Sequence, residues 1–273
     1  MGNVLEESLH KKDKNRFNKI ADASKEFAGA YCGRTVLGVA IFGVIENYAR
    51  KKEIALEILR YPFNDDELWA VTFIKKGTIF LCINSELAIC KQNFAVAHEL
   101  YHIRCYAEGT DTDTIRTVSV LESKVVDRVA MTQEDLEANA FAGLLLMPDN
   151  LMREQLKLYG INEANIELDD VLVLMEVFAV PYKAVILRLY EEQTITEAKA
   201  NELLEFDAKY ISQRIELTGK AKQWQINSRE VEYFGTLLDN LEFNSENGLI
   251  TESREESDRQ VLKEIKASFT IDR

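Results

Sequence analysis

The stretch FAVAHELYHIRC, residues 94–105, determines how the rest of the sequence is interpreted. It places two of the chain's three histidines, His98 and His102, four positions apart, with Glu99 directly after the first. Apolar residues surround them at helical spacing, which predicts a helix over about 92–106. Residues four apart project from the same face of a helix, so both imidazoles can bind one metal ion.

This HExxH spacing has a defined chemistry. Two imidazole nitrogens can hold zinc at about 2.0–2.1 Å. Glu99 lies about 100° round the helix from His98, where it can reach a water molecule without binding the metal. The metal lowers the pKa of the water toward about 7, and the glutamate takes its proton during attack on a peptide carbonyl. The spacing therefore favours peptide hydrolysis over a chance arrangement.

A catalytic zinc site usually has three protein ligands, so one more residue is needed. The segment EDLEANAFAGLLLMP, residues 134–148, offers Glu134, Asp135 and Glu137 near the start of a second predicted helix. Thr132 is a candidate N-cap with Asp135 three positions later, which is close to a capping box. Acidic residues at a helix start also complement the helix dipole, and it is the pairing with HExxH that makes this segment informative.

The predicted fold class is α+β. The segment LWAVTFIKKGTIFLCIN, residues 68–84, and the residues before it carry β-branched and aromatic side chains broken by turn signals. We expect a small antiparallel sheet of two or three strands, packed on the HExxH helix and followed by a helical lobe. Helices are predicted over 12–32, 36–51 and 132–147, with two or three more over 169–206.

Three regions are expected along the chain. Residues 1–150 would form the core and residues 151–206 a helical lobe that completes it. Residues 207–273 would form a mainly helical C-terminal extension of unknown role, interrupted at NSENGLITESREESD, residues 244–258, by an exposed linker.

Composition excludes several classes of protein. A formal charge of −13 opposes direct binding to the phosphate backbone of a nucleic acid, which relies on clustered basic residues. The longest apolar run, residues 36–45, is too short for a membrane span of about 20 residues. The N-terminus lacks the features of a secretory signal, so a cytoplasmic location is expected. Four cysteines without a CxxC pair indicate reduced, mostly buried thiols.

Two segments together resemble a known family. NFAVAHELYHI, residues 93–103, followed by DLEANAFAGLLLMP, residues 135–148, is similar to the ImmA/IrrE metallopeptidases. Members of that family carry an HExxH helix after a small sheet and then a helix of the form ExxANxFAxxLLMP. The residues that fall on this second motif are Ala138, Asn139, Phe141, Ala142, Leu145, Met147 and Pro148.

The resemblance implies a zincin-like core in the cytoplasm of a bacterium or its mobile elements. His98 and His102 would then be ligands of one catalytic zinc ion, and Glu99 the general base. Family members act on repressors that carry a helix-turn-helix domain, relieving repression after stress or DNA damage by cutting the repressor. The expected function is therefore a zinc-dependent endopeptidase whose protein substrate is such a repressor.

The sequence departs from the family at one position. The family's glutamate ligand falls on Asp135, which is one methylene shorter, so either its helix lies nearer the metal or Glu137 supplies the oxygen. Asp135 and Asn139 are four apart and share a face, and Asn139 would support a ligand histidine. Glu137 lies about 200° from Asp135. This geometry favours Asp135 as the third ligand, with Glu137 as the alternative.

The departure keeps a second interpretation open. In this alternative the chain is a catalytically silent zincin-fold module that binds a protein partner without cutting it. Tyr101, inside the motif, points off the ligand face and is expected to pack in the core. The third histidine, His10, lies in a polar N-terminal segment and is expected to be solvated.

Overall fold

The computed structural model describes residues 4–63, 65–109, 119–122, 132–219 and 236–269. The helices are α1 (Leu9–Lys12), α2 (Lys14–Tyr31), α3 (Ile41–Lys51), α4 (Ile89–Glu108), α5 (Gln133–Leu146), α6 (Asp149–Leu158), α7 (Leu168–Phe178), α8 (Tyr182–Glu191), α9 (Glu197–Leu204), α10 (Ala208–Leu217), α11 (Leu237–Glu246) and α12 (Glu252–Phe269), with a 3-10 turn at Gly38–Ala40 before α3. The strands are β1 (Leu56–Tyr61), β2 (Leu68–Lys75), β3 (Thr78–Asn84) and β4 (Ser119–Glu122).

The four strands form one sheet in the order β1-β3-β2-β4. Strands β2 and β3 are antiparallel and are joined by a two-residue turn, in which Lys76 (φ 52°) and Gly77 (φ 82°) both have positive φ. That backbone is the one a tight hairpin favours, because its twist matches the twist of the strands. Strand β4 continues the antiparallel arrangement along the other edge of β2.

The α+β, zincin-like class is confirmed, but the expectation of a wholly antiparallel sheet is wrong for β1. This strand pairs with β3 in parallel, so the connection from β1 to β2 crosses the end of β3. The buried side chain of Asn84 bonds the connection between β1 and β2. Its Oδ1 accepts from the backbone N–H of Phe63, and its Nδ2 donates to the carbonyls of Asp65 and Leu68. Amide contacts of this kind leave no periodic signal in a sequence.

Helix α4 crosses the sheet and is the centre of the molecule. Every residue from Gln92 to Ile103 is buried, because β2 and β3 pack on one side of the helix and α3 and α5 on the others. Helix α5 is buried in the same way from Leu136 to Leu146, between α4, α2 and α8. The residues that carry the two sequence motifs therefore lie in the apolar core, where a charged group needs a partner.

The ends of α5 agree with the sequence-based expectation. Thr132 and Asp135 form a capping box: the Thr132 side chain accepts from the backbone N–H of Asp135, and the Asp135 carboxylate accepts from the backbone N–H of Thr132. The helix ends at Leu146, and Pro148 then serves as the N-cap of α6. The first turn of α5 is thereby fixed, and Glu134 and Asp135 both lie in it.

The predicted linker over residues 244–258 is wrong. Helix α11 continues to Glu246 and α12 begins at Glu252, with only a tight turn between them. Gly248, at φ 65°, closes α11, and the backbone N–H of Leu249 donates to the carbonyl of Asn244. The polar residues that suggested a loop form the exposed face of α12, where Arg254 pairs with Asp258.

Within the described residues, no helix combines the length and the apolar character that crossing a bilayer requires. The three-region division at residues 150 and 206 stays a prediction. Residues 220–235 and 270–273 of the expected C-terminal extension lie outside the described residues.

Candidate metal centre

The two histidines of the HExxH motif face each other on α4. The distance between His98 Nε2 and His102 Nε2 is 3.2 Å, and the two side chains are almost fully buried. One helical turn separates the residues, which is why their rings share a face. Glu99, on the same turn, is also fully buried.

The other nitrogen of each ring is held by a residue of α5. His98 Nδ1 lies 2.9 Å from Asn139 Oδ1, and His102 Nδ1 lies 3.3 Å from Glu134 Oε1. The carboxylate of Glu134 can only accept a hydrogen bond, so His102 donates through its Nδ1–H. The amide oxygen of Asn139 is also an acceptor, so His98 donates through its Nδ1–H as well. Both Nε2 lone pairs then point into the space between the rings, as they do in histidines that bind a metal.

Asp135 completes the cluster from the first turn of α5. Its Oδ1 lies 4.0 Å from His102 Nε2, and the candidate ligand atoms of His98, His102 and Asp135 all lie within 4.8 Å of one another. Its Oδ2 accepts from the Thr132 backbone N–H at 2.9 Å and from the Thr132 hydroxyl at 2.8 Å. The cap therefore orients the carboxylate and turns one oxygen toward the histidines.

These donors fit a zinc ion. Two nitrogens at about 2.0–2.1 Å from a tetrahedral ion are about 3.3 Å apart, close to the 3.2 Å between the two Nε2 atoms. Two nitrogens and one carboxylate oxygen are also a common ligand set of catalytic zinc. Two facing lone pairs repel each other, and a cation between them removes that repulsion.

The pKa values of the two histidines move in opposite directions. Burial, together with the neighbouring His102, holds the pKa of His98 well below its usual value. Burial also opposes protonation of His102, but the hydrogen bond to Glu134 and the charges of Glu99 and Asp135 outweigh it and raise its pKa. The site thus has a strongly negative surrounding on the His102 side, which suits a cation.

The structure places Glu137, the alternative third ligand, on another face of α5. Its Oε1 accepts from Arg16 Nε at 2.7 Å. Its Oε2 accepts from Arg16 Nη2 at 2.7 Å and from the Tyr101 hydroxyl at 2.5 Å. The Glu137 carboxylate thus bonds residues of α2 and α4 and is not part of the cluster of His98, His102 and Asp135.

Tyr101 and His10 can now be compared with expectation. Tyr101 is buried and its ring packs against Phe141, as predicted, and its hydroxyl bonds Glu137 in addition. The expectation that His10 is solvated is wrong: its ring lies edge-on between Phe17 and Tyr190, and burial lowers its pKa. His10 is not part of the metal cluster.

Two contacts of this site were not predicted from the sequence. The first is the contact of Glu134 with His102 Nδ1, because Glu134 was predicted only as a candidate metal ligand. Its place beside Asp135 was a signal that it would lie near His102. Arg16 gave no signal, because it lies 121 positions from Glu137 in the chain and its place depends on how α2 packs.

The fold and the site together define a zincin-like protein with a histidine–histidine–carboxylate cluster on two core helices. A family model described as Peptidase_M78, IrrE N-terminal-like domain, matches residues 52–190, which is half of the chain. The chain therefore belongs to the M78 peptidase family of IrrE N-terminal-like domains, as the resemblance predicted. No curated protein matches the chain.

Proposed function

We propose that the chain is a zinc-dependent endopeptidase that uses His98, His102 and Asp135 as metal ligands and Glu99 as general base. The observation that carries the proposal is the 3.2 Å approach of the two Nε2 atoms, with Asp135 beside them, in a chain of a peptidase family. The family supports a metallopeptidase, and the donor set supports zinc among the divalent ions.

The surrounding residues have separate roles in this proposal. Asn139 and Glu134 accept from the Nδ1 atoms of the two histidines and so fix both rings. A bound zinc ion supplies Lewis-acid polarisation of the scissile carbonyl and a lowered pKa for the attacking water. Glu99 takes the proton of that water on a carboxylate oxygen and later delivers it to the leaving amine.

The substrate can approach from the N-terminal end of α5. The side chains of Glu134 and Asp135 are 29% and 19% exposed, whereas that of His102 is fully buried. A peptide that enters on this side meets carboxylates first, so an extended segment that is neutral or basic is favoured over an acidic one.

We propose a helix-turn-helix transcriptional repressor as the protein substrate, on the strength of the family membership. Cutting it would relieve repression in a response to stress or in a mobile element. The chain's formal charge of −13 supports a protein partner, and disfavours direct contact with DNA.

A cleavage assay tests the proposal. The zinc-loaded chain is incubated with each helix-turn-helix repressor encoded beside its gene, and fragments are identified by mass spectrometry. We expect one defined cut, which disappears in Glu99→Gln while zinc content and repressor binding persist. If the wild type binds a repressor and leaves it intact, and Glu99→Gln behaves identically, the silent binding module is the correct alternative.

A further inference from the structure

The buried carboxylate of Glu137 accepts four hydrogen bonds. Its side chain is only 6% exposed. Arg16 donates from Nε to Oε1 and from Nη2 to Oε2, each at 2.7 Å. The Tyr101 hydroxyl donates a third bond at 2.5 Å, and Gln133 Nε2 donates a longer fourth one at 3.3 Å. Bidentate arginine–carboxylate pairs fix orientation as well as supplying energy, so this carboxylate holds three helices, α2, α4 and α5, in one arrangement.

Two of these bonded residues are close neighbours of the proposed metal ligands. Tyr101 directly precedes His102 on α4, and Glu137 follows Asp135 by two positions on α5. The bond between them joins α4 to α5 directly. Asp135 Oδ1 lies 4.0 Å from His102 Nε2. Because each helix is rigid over one turn, the bond between Tyr101 and Glu137 limits how far Asp135 can move from His102.

Arg16 supplies the charge that makes this arrangement stable. The Arg16 guanidinium lies against both oxygens of the Glu137 carboxylate and is the cationic partner that a buried carboxylate needs. A buried carboxylate that loses its cationic partner is costly and tends to move toward water. Such a movement would break its hydrogen bond with the Tyr101 hydroxyl.

Helix α2, which carries Arg16, lies outside residues 52–190, the part of the chain that matches the family. It nevertheless packs along α5 in the core, and Phe27 of α2 contacts Phe141 of α5 edge-on. The support of the metal helices therefore comes from a segment that the family model does not include.

We propose that Arg16, Glu137 and Tyr101 are positioning residues of the metal centre, through which helix α2 sets the affinity of that centre for zinc. None of the three touches the metal: they act by holding α5 against α4. The inference rests on the proposed function, because it takes His98, His102 and Asp135 as the ligands.

The test measures zinc affinity in the full chain by competition with a chromophoric chelator at pH 7.5. The variants are Arg16→Gln and Glu137→Gln, with Arg16→Lys as a milder change that keeps the charge and loses the two-point grip. The control is Arg214→Gln, which removes a two-point pair with Asp169 that joins α10 to α7. Urea unfolding in excess chelator measures the stability of each metal-free variant separately.

We expect Arg16→Gln and Glu137→Gln each to weaken zinc binding about tenfold or more, in the range seen when the support of a metal ligand is removed. The double variant should be no weaker than either single one, and Arg214→Gln should match the wild type. The absorption spectrum of the cobalt-loaded protein should change in the Arg16 and Glu137 variants, which a loss of stability alone would not produce.

Two results would overturn the inference in distinguishable ways. If Arg16→Gln, Arg16→Lys and Glu137→Gln, all folded at 25 °C, bind zinc within twofold of the wild type, the network is purely structural and the proposed function stands. If the wild type itself binds no zinc, the proposed function fails and this inference fails with it.

Discussion

Asp135 takes part in two interactions at once, one with each carboxylate oxygen. Oδ2 closes the capping box with Thr132, while Oδ1 lies 4.0 Å from His102 Nε2. The family motif has a glutamate at this position, and the shorter aspartate still lies at the site because it sits in the first, capped turn of α5. The helix cap and the proposed third ligand are therefore the same side chain.

Single residues differ in how far the sequence could place them. Helical spacing groups His98 with His102 and Asp135 with Asn139, and the family resemblance implied that the two pairs meet at one site. The contact of Glu134 with His102 depends on rotamers, and that of Arg16 with Glu137 on the packing of α2. Tertiary contacts decide both, so no local pattern reports them.

Replacing Asn139 by alanine should weaken zinc binding by about tenfold or more, because His98 loses the acceptor that fixes its ring and its proton. Glu134→Gln should have a smaller effect, since glutamine keeps an oxygen that can accept from His102 and loses only the charge. Chelator competition at pH 7.5 measures both. Equal zinc affinity in Asn139→Ala and the wild type would contradict the assigned role of Asn139.

Element boundaries were predictable where a side chain bonds the backbone locally. The capping box of α5 and the stop at Pro148 follow from residues three or fewer positions apart. The parallel pairing of β1 with β3 was not predictable, because the connection that allows it is bonded by Asn84, a residue distant in the sequence. The sequence predicted a linker over residues 244–258, across the end of α11 and the start of α12, because these residues are as polar as a loop.

The C-terminal end of α7 offers a test of backbone strain. Ala179 closes this helix in the left-handed conformation, at φ 50°, which suits glycine better than alanine. Ala179→Gly should raise the free energy of unfolding by roughly 0.5–1 kcal/mol, because it removes the steric clash of Cβ in that conformation. Urea unfolding followed by circular dichroism measures the change.

The matched control is the same substitution inside a helix. Ala23 lies in the middle of α2, where glycine costs about 1 kcal/mol relative to alanine. Ala23→Gly should therefore lower stability while Ala179→Gly raises it. If Ala179→Gly lowers the stability as Ala23→Gly does, Ala179 is not strained.

At the scale of the whole molecule, α4 and α5 form a core that is sealed by the sheet, by α8 and by the N-terminal helix α2. This arrangement explains why both motif helices are apolar nearly all round, although they carry the charged residues of the site. The sequence predicted the two helices and their order. It did not predict that α2, a helix before the family-matched residues, closes the core. The apolar face of α2 shows that the helix packs against something but not which element it packs against.

The reactivity of the four cysteine thiols tests how far each of them is buried. All four cysteines are described residues and free thiols, but only Cys82 is buried and the other three are half-buried, so the expectation of mostly buried thiols is wrong for those three. Burial raises the pKa of Cys32, Cys82 and Cys90 to about 11 each. At pH 8 these three thiols should react with iodoacetamide at least about a hundredfold more slowly than unfolded thiols, whose pKa is about 8.5.

Peptide mass spectrometry with and without urea follows the labelling of each cysteine. Because the thiolate fraction rises with pH up to the pKa, labelling of the native protein should accelerate about tenfold between pH 8 and pH 9. Labelling of Cys82 at the unfolded rate in native protein would show that β3 is not buried as described.

The most direct test of the metal centre is the zinc content of purified, zinc-loaded protein, wild type against Asp135→Asn, after dialysis at pH 7.5. Asparagine keeps an oxygen for the Thr132 cap and removes the negative charge, so the variant should fold with little loss of stability. The account predicts one zinc ion per chain in the wild type and a clearly lower content in Asp135→Asn. Equal zinc in both proteins, or none in the wild type, would contradict it.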